Sequence, residues 1–155
     1  ETCEIANDNC NGQVVVSGEI LAIKLLQESL KKNSIKSVIL PVSAPFHSFL
    51  MKKSTEIMKE YICNIDIKKP SPKIISNVTA NEKNDANEIK NLLIKQIESR
   101  VRWRESIQYM IENKVSKFIE IGPGKVLSGL VKRINKNVKT LSINNEENIK
   151  QITTL

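Results

Sequence analysis

The one histidine of the chain, His47, stands in the segment Pro41-Val-Ser-Ala-Pro-Phe-His-Ser48, where a β-like run ends and a helical pattern is about to begin. Imidazole is the side chain best suited to moving a proton near neutral pH. The partial positive charge and free N–H groups of a helix N-terminus disfavour an imidazolium, and a neutral ring is what a general base requires. The competing reading is a capping or surface histidine without a role, and spacing alone leans towards it. A nucleophile for such a base is missing from the sequence. No Gly-x-Ser-x-Gly elbow occurs, and the serines next to glycines, Ser17 and Ser128, lack that spacing.

Gly122-Pro-Gly-Lys125 ahead of a helical run invites a phosphate-loop reading. The spacing fails, because Ile119 stands where the first glycine belongs and Val126 where Ser or Thr belongs. A tight strand-to-helix turn explains the glycines better, with phosphate contact at that helix N-terminus as the lesser reading. Cys3, Cys10 and Cys63 form no Cys-x-x-Cys pair, so neither a disulfide framework nor a zinc site is expected. The net charge is +7, from twenty lysines and four arginines against 17 acids. Aromatic residues are only 4%, and the lysines are scattered rather than striped, which argues against nucleic acid as the partner. Abundant Lys, Ile and Asn fit an A/T-rich coding sequence, so part of the charge is a codon effect. No apolar run approaches the roughly eighteen residues of a membrane span.

The elements that would carry these residues alternate between β-like runs and amphipathic helices, the signature of an α/β protein. Gln13–Gly18 reads as a strand, Glu19–Lys32 as a helix burying Ile23, Leu26 and Leu30, and Ser37–Val42 as another strand. Ser48 is placed to cap a helix running to about Cys63, with Leu50, Ile57, Met58 and Tyr61 facing inward. Lys73–Val78 reads as a buried strand. Asp85-Ala-Asn-Glu88 has capping-box spacing and opens a helix with Ile89, Leu92, Leu93, Gln96 and Ile97 on one stripe. A helix over Trp103–Asn113, a strand over Lys117–Ile121, a helix to about Ile134, a strand over Val138–Ile143 and a weak helix near Glu146–Ile152 complete the pattern. Strand, helix, strand at the start is too little for a domain of its own, which suggests further sequence on the N-terminal side.

Five blocks, in order, carry a resemblance to a known family. They are Asn7-Asp-Asn-Cys-Asn-Gly-Gln-Val-Val-Val-Ser-Gly18, Pro41-Val-Ser-Ala-Pro-Phe-His-Ser48, Ile75-Ser-Asn-Val-Thr-Ala80, Val101-Arg-Trp103 and Phe118-Ile-Glu-Ile-Gly-Pro-Gly-Lys-Val-Leu127. Together they resemble the malonyl-CoA:acyl-carrier-protein transacylases over nearly the whole chain. In that family a serine on a nucleophile elbow attacks malonyl-CoA while a histidine takes its proton. The malonyl ester then passes to the phosphopantetheine thiol of acyl carrier protein.

The resemblance implies that His47 is that histidine and that the backbone carbonyl of Gln96 orients its ring. The carbonyl takes the part of the aspartate in the familiar triad. A buried amide satisfying helix ends is the other reading of Gln96. Asn7 and Asn9 match positions lining the cleft beside the acyl-serine and coenzyme A; turn formation before Gln13 is the alternative for both. Phe46 resembles the wall of a malonyl-type pocket. The elbow serine and the arginine that binds malonate's carboxylate lie upstream in the family, and none of Arg100, Arg102, Arg104 or Arg133 matches that arginine. Arg100 also stands where the family usually has proline.

By the same comparison, residues 1–41 correspond to the C-terminal half of a ferredoxin-like small subdomain. Residues 42–155 correspond to the C-terminal part of a hydrolase-like large subdomain with a parallel sheet. The implied substrates are a coenzyme A thioester and acyl carrier protein, with no bound cofactor, no nucleic acid, no membrane, and a monomer when complete. The implied compartment is the cytoplasm in a bacterium and a plastid-type organelle or mitochondrion in a eukaryote. A non-catalytic module that docks acyl carrier protein and a thioesterase-like serine hydrolase are the alternatives.

Overall fold

The computed structural model describes residues 2–150, and its first element is a strand that meets several of the others. That strand, β1 (Cys3–Cys10), pairs antiparallel with β2 (Gln13–Gly18) around a turn in which Gly12 takes a φ of 75°. Sequence reading finds β2 but not β1, because Asn7, Asp8 and Asn9 have low strand propensity. Pairing overrides it. Beyond the β2 ladder, Asp8 N–H donates to the Val101 carbonyl and Val101 N–H to the Ala6 carbonyl, at 2.9 and 2.8 Å. The alternation along β1 buries Ala6, Asp8 and Cys10 and leaves Asn7 and Asn9 half-exposed on the other face. The two asparagines are therefore strand residues, not formers of the turn.

Helix α1 (Ile20–Lys32) follows, with Ile23, Leu26 and Leu30 half-buried as its periodicity predicts. Ser37–Val42 does not form the expected strand. It is exposed, Val38 by 72%, and pairs with no strand among the described residues. A β-branched sequence supplies the right backbone preference, but a strand exists only where another strand takes up its N–H and C=O groups.

Past His47, a single 3-10 turn over Phe49–Met51 leads into α2 (Lys52–Cys63). Here two expectations fail. Ser48 makes no cap bond with the helix, and the apolar stripe of Leu50, Ile57, Met58 and Tyr61 faces outward, leaving Ile62 as the buried residue. Helical spacing identifies an apolar face; it does not say that this part of the chain covers it. The run Lys73–Val78 is likewise less strand than predicted. Only β3 (Ile74–Ile75) pairs, with β4 (Glu82–Lys83), before Ser76–Asn81 closes a turn with Ala80 at positive φ.

The remainder follows the sequence closely. Helix α3 (Ala86–Lys95) opens on Asp85, whose carboxylate accepts the Glu88 N–H at 2.7 Å. Glu88 does not return the bond but pairs with Lys83, which makes half a capping box. Helix α4 (Trp103–Glu112) leads to β5 (Lys117–Ile121), α5 (Val126–Ile134) and β6 (Lys139–Ile143), a parallel strand-helix-strand unit in register from Lys117 opposite Lys139 to Ile121 opposite Ile143. A short α6 (Glu146–Ile149) ends the described chain; Gln151 and Ile152 of the helix expected there lie outside the described residues. Ile107, Val131 and Val138 centre the core, with Trp103, Met110 and Phe118 packed around them. Both α4 and α5 also pack on β1. The fold is thus α/β, with two antiparallel hairpins and one parallel pair among the described residues.

Candidate active site

His47 adopts a φ of 58°, in the left-handed region that β-branched and bulky residues avoid. That backbone turns its ring towards the end of α3, forty-nine residues later. There Nδ1 donates to the main-chain oxygen of Gln96 at 3.1 Å. A carbonyl oxygen can only accept, so Nδ1 carries the hydrogen, and in the neutral ring Nε2 is left with a free lone pair. The ring is half-buried. Gln96 is the C-cap of α3, where helix carbonyls lack an internal partner. The imidazole thus satisfies an orphan helix end while the helix fixes its tautomer. Behind Gln96, α3 and β3 enclose a small cavity of about 110 Å³.

The turn bearing His47 is held on both sides. Behind it, the fully buried Ser48 hydroxyl donates to the Pro45 carbonyl at 2.7 Å. Ahead of it, the Phe49 N–H donates to the Glu4 carboxylate at 2.6 Å, so β1 supplies the cap that Ser48 was expected to give. No local signal could have found that residue, forty-five positions away. Phe46 precedes His47 and is exposed. Asn7 and Asn9 share one face of β1, and among the described residues no hydrogen bond occupies either side-chain amide. No bond joins Phe46, Asn7 or Asn9 to the His47–Gln96 pair; what links them is the chain, through Phe46's place before His47 and Glu4's place at the start of β1.

The four arginines are all engaged. Arg100 and Arg102 pair with Glu105, Arg104 with Asp8 and Asn11, and Arg133 with Gln13. Hydrogen bonding to Arg102 holds the Glu105 carboxyl below the usual carboxylate range against the opposing effect of burial. The helix N-terminus after Gly122-Pro-Gly124 is engaged too. Glu120 on β5 accepts the N–H groups of Leu127 and Ser128 at 3.0 and 2.8 Å, so a carboxylate already sits where a phosphate would have to bind. Burial works to raise the Glu120 carboxyl. Hydrogen bonds from Ser128, Leu127 and Ser142 outweigh it and leave the group below its ordinary range.

No family model matches the chain. Relatives match it closely. The malonyl CoA-acyl carrier protein transacylase of Bacillus subtilis is 47% identical over 147 residues, covering 94% of this chain and 46% of the relative. The crystal structure of the acyl-carrier-protein S-malonyltransferase of Bartonella henselae superposes with a TM-score of 0.94 at 42% identity, over 98% of this chain and 49% of that one. A second solved structure, of a malonyl-transacylase in complex with a type II polyketide acyl carrier protein, has a TM-score of 0.91 at 30% identity, over 97% of this chain and 49% of that one. The chain therefore shares sequence and fold with malonyl CoA-acyl carrier protein transacylases. It spans about half the length of the relatives it matches, their C-terminal part.

Proposed function

We propose that the chain is the C-terminal part of a malonyl-CoA:acyl-carrier-protein transacylase and supplies that enzyme's general base. The observation that carries this reading is the His47 Nδ1 to Gln96 carbonyl bond, because in the neutral ring it leaves the lone pair on Nε2, the nitrogen turned away from that carbonyl. In the scheme, Nε2 takes the hydroxyl proton of an elbow serine as its oxygen attacks the malonyl thioester. The same proton goes to the departing coenzyme A sulfur. The phosphopantetheine thiol of acyl carrier protein then gives its proton to Nε2 and takes the malonyl group, and the serine recovers a proton. A serine hydroxyl is a poor nucleophile at its free pKa, so the base is indispensable. Asn7 and Asn9, with unoccupied amides, hold pantetheine carbonyl or amide groups, and Phe46 walls the acyl pocket.

The architecture supports a division of labour. Residues 1–41 complete a ferredoxin-like subdomain, and 42–155 complete a hydrolase-like one. Among the described residues, three apolar surfaces await the remaining half of the polypeptide: the exposed Ser37–Val42, the outward stripe of α2, and Ile119 and Ile121 on β5. That same half carries the serine and the malonate-binding arginine, since in the family both lie upstream and no arginine here matches that position. No bound cofactor enters the scheme. The complete enzyme is a monomer acting on malonyl-CoA and acyl carrier protein, without nucleic acid or membrane. Its place is the cytoplasm of a bacterium, or the plastid-type organelle or mitochondrion of a eukaryote.

The test is transfer of labelled malonyl from malonyl-CoA to acyl carrier protein. The complete polypeptide should perform it through an isolable malonyl-serine ester. The 155 residues alone should not, and should regain it when the missing half is added. Carrier-protein binding without transfer by the complete polypeptide would instead establish a docking module, and hydrolysis without transfer a thioesterase.

A further inference from the structure

We infer that Ser48 is a positioning residue for His47: its hydroxyl locks the turn that keeps the imidazole on the Gln96 carbonyl. The inference builds on His47 as the base but depends on different atoms. A non-glycine residue in the left-handed region is strained relative to its ordinary conformations, so surrounding bonds must hold it there. Two do. The Ser48 hydroxyl reaches back three residues to Pro45 and closes the turn with His47 inside it, and Glu4 pins the following Phe49 N–H. Ser48 is fully buried, and among the described residues its hydroxyl makes this one bond, with no cap bond to the helix ahead. A serine in this place normally donates nothing backwards; it accepts an N–H from the first turn. Its side chain is turned to the opposite task. Without that bond the turn relaxes towards negative φ, the ring swings off Gln96, and the tautomer with a free Nε2 loses its support.

The experiment uses the complete protein, with the His47 ring nitrogens observed by nitrogen-15 NMR and identified by their loss in His47→Gln. The wild type should show the form protonated at Nδ1. Ser48→Ala should mix in the form protonated at Nε2, which free histidine prefers, and should lower kcat for malonyl transfer about 10- to 100-fold with KM unchanged. Ser48→Cys, similar in size and a weak donor, should restore part of both. If Ser48→Ala keeps the wild-type tautomer and kcat, the inference is overturned. Should Ser48→Ala lose its fold, Ser48→Gly, which also lacks the hydroxyl, carries the comparison, and a wild-type tautomer and kcat there overturn it equally. A shifted tautomer in a protein that transfers no malonyl upholds the positioning and sinks the transacylase reading instead.

Discussion

His47 meets Gln96 through the main chain of the glutamine, not its side chain, with 3.1 Å between Nδ1 and the carbonyl oxygen. A backbone partner has two consequences. It cannot be deleted by substitution, and it is held as firmly as the end of α3.

In the complete enzyme, His47→Ala should lower acyl transfer on the order of 10²–10⁴-fold, the span for losing a general base. Gln96→Ala keeps the carbonyl and should cost less than about 10-fold. Steady-state kinetics, with circular dichroism as the control for folding, checks both. Equal losses in the two variants would move the orienting role to the glutamine side chain.

Lys31, Lys32 and Lys36 lie at the end of α1 and in the segment leading towards His47. Lys31 and Lys36 line an open groove of about 580 Å³. Acyl carrier proteins are small and acidic, so opposite charge should raise the encounter rate. Reversing all three lysines to Glu should raise KM for the carrier protein and weaken its salt dependence, while leaving KM for malonyl-CoA closer to normal. Unchanged carrier kinetics at low ionic strength would reduce these lysines to a solvated face.

Glu120 closes the first turn of α5 from the neighbouring strand, so Glu120→Ala should cost roughly 1 kcal/mol, as other helix caps do. Its carboxyl lies below the ordinary range in the folded chain. The stability it contributes is therefore complete above the unfolded carboxylate pKa and is lost as pH falls through the lower folded value. Denaturant titrations at neutral and acidic pH should show the variant and the wild type converging in acid. A constant gap would assign the effect to packing.

Asp8 is only 5% exposed and accepts two bonds from Arg104, whose side chain is partly exposed. Arg104→Ala should therefore destabilise the fold, because it leaves the buried Asp8 carboxylate without its partner. Removing Asp8 as well should recover part of that loss. A double-mutant cycle measures the difference, and simple additivity would show that the pair is not coupled.

What was legible in the sequence was what the sequence holds locally. Asp85 and Glu88 lie three residues apart, and the cap formed. The β5-α5-β6 unit is contiguous, and its order and bounds were readable. The α2 stripe was recognisable as apolar, but its direction depends on a surface these residues do not supply. Ser37–Val42 has strand chemistry without a strand beside it. Cys3–Cys10 is the converse, a poor strand sequence held extended by β2 and Val101. At the site, His47 and Gln96 could be named from resemblance. Glu4 could not, because its role exists only once β1 has been placed against the turn.

The left-handed backbone at His47 also narrows the substitutions open to that position. Glycine, asparagine and aspartate tolerate such a φ, whereas valine, isoleucine or threonine would pay for the backbone as well as for the lost imidazole. A lineage drifting away from histidine here would therefore pass through asparagine or aspartate far more readily than through an aliphatic residue. For the same reason His47→Asn, rather than His47→Ala, is the change that removes the proton acceptor while leaving the turn at rest.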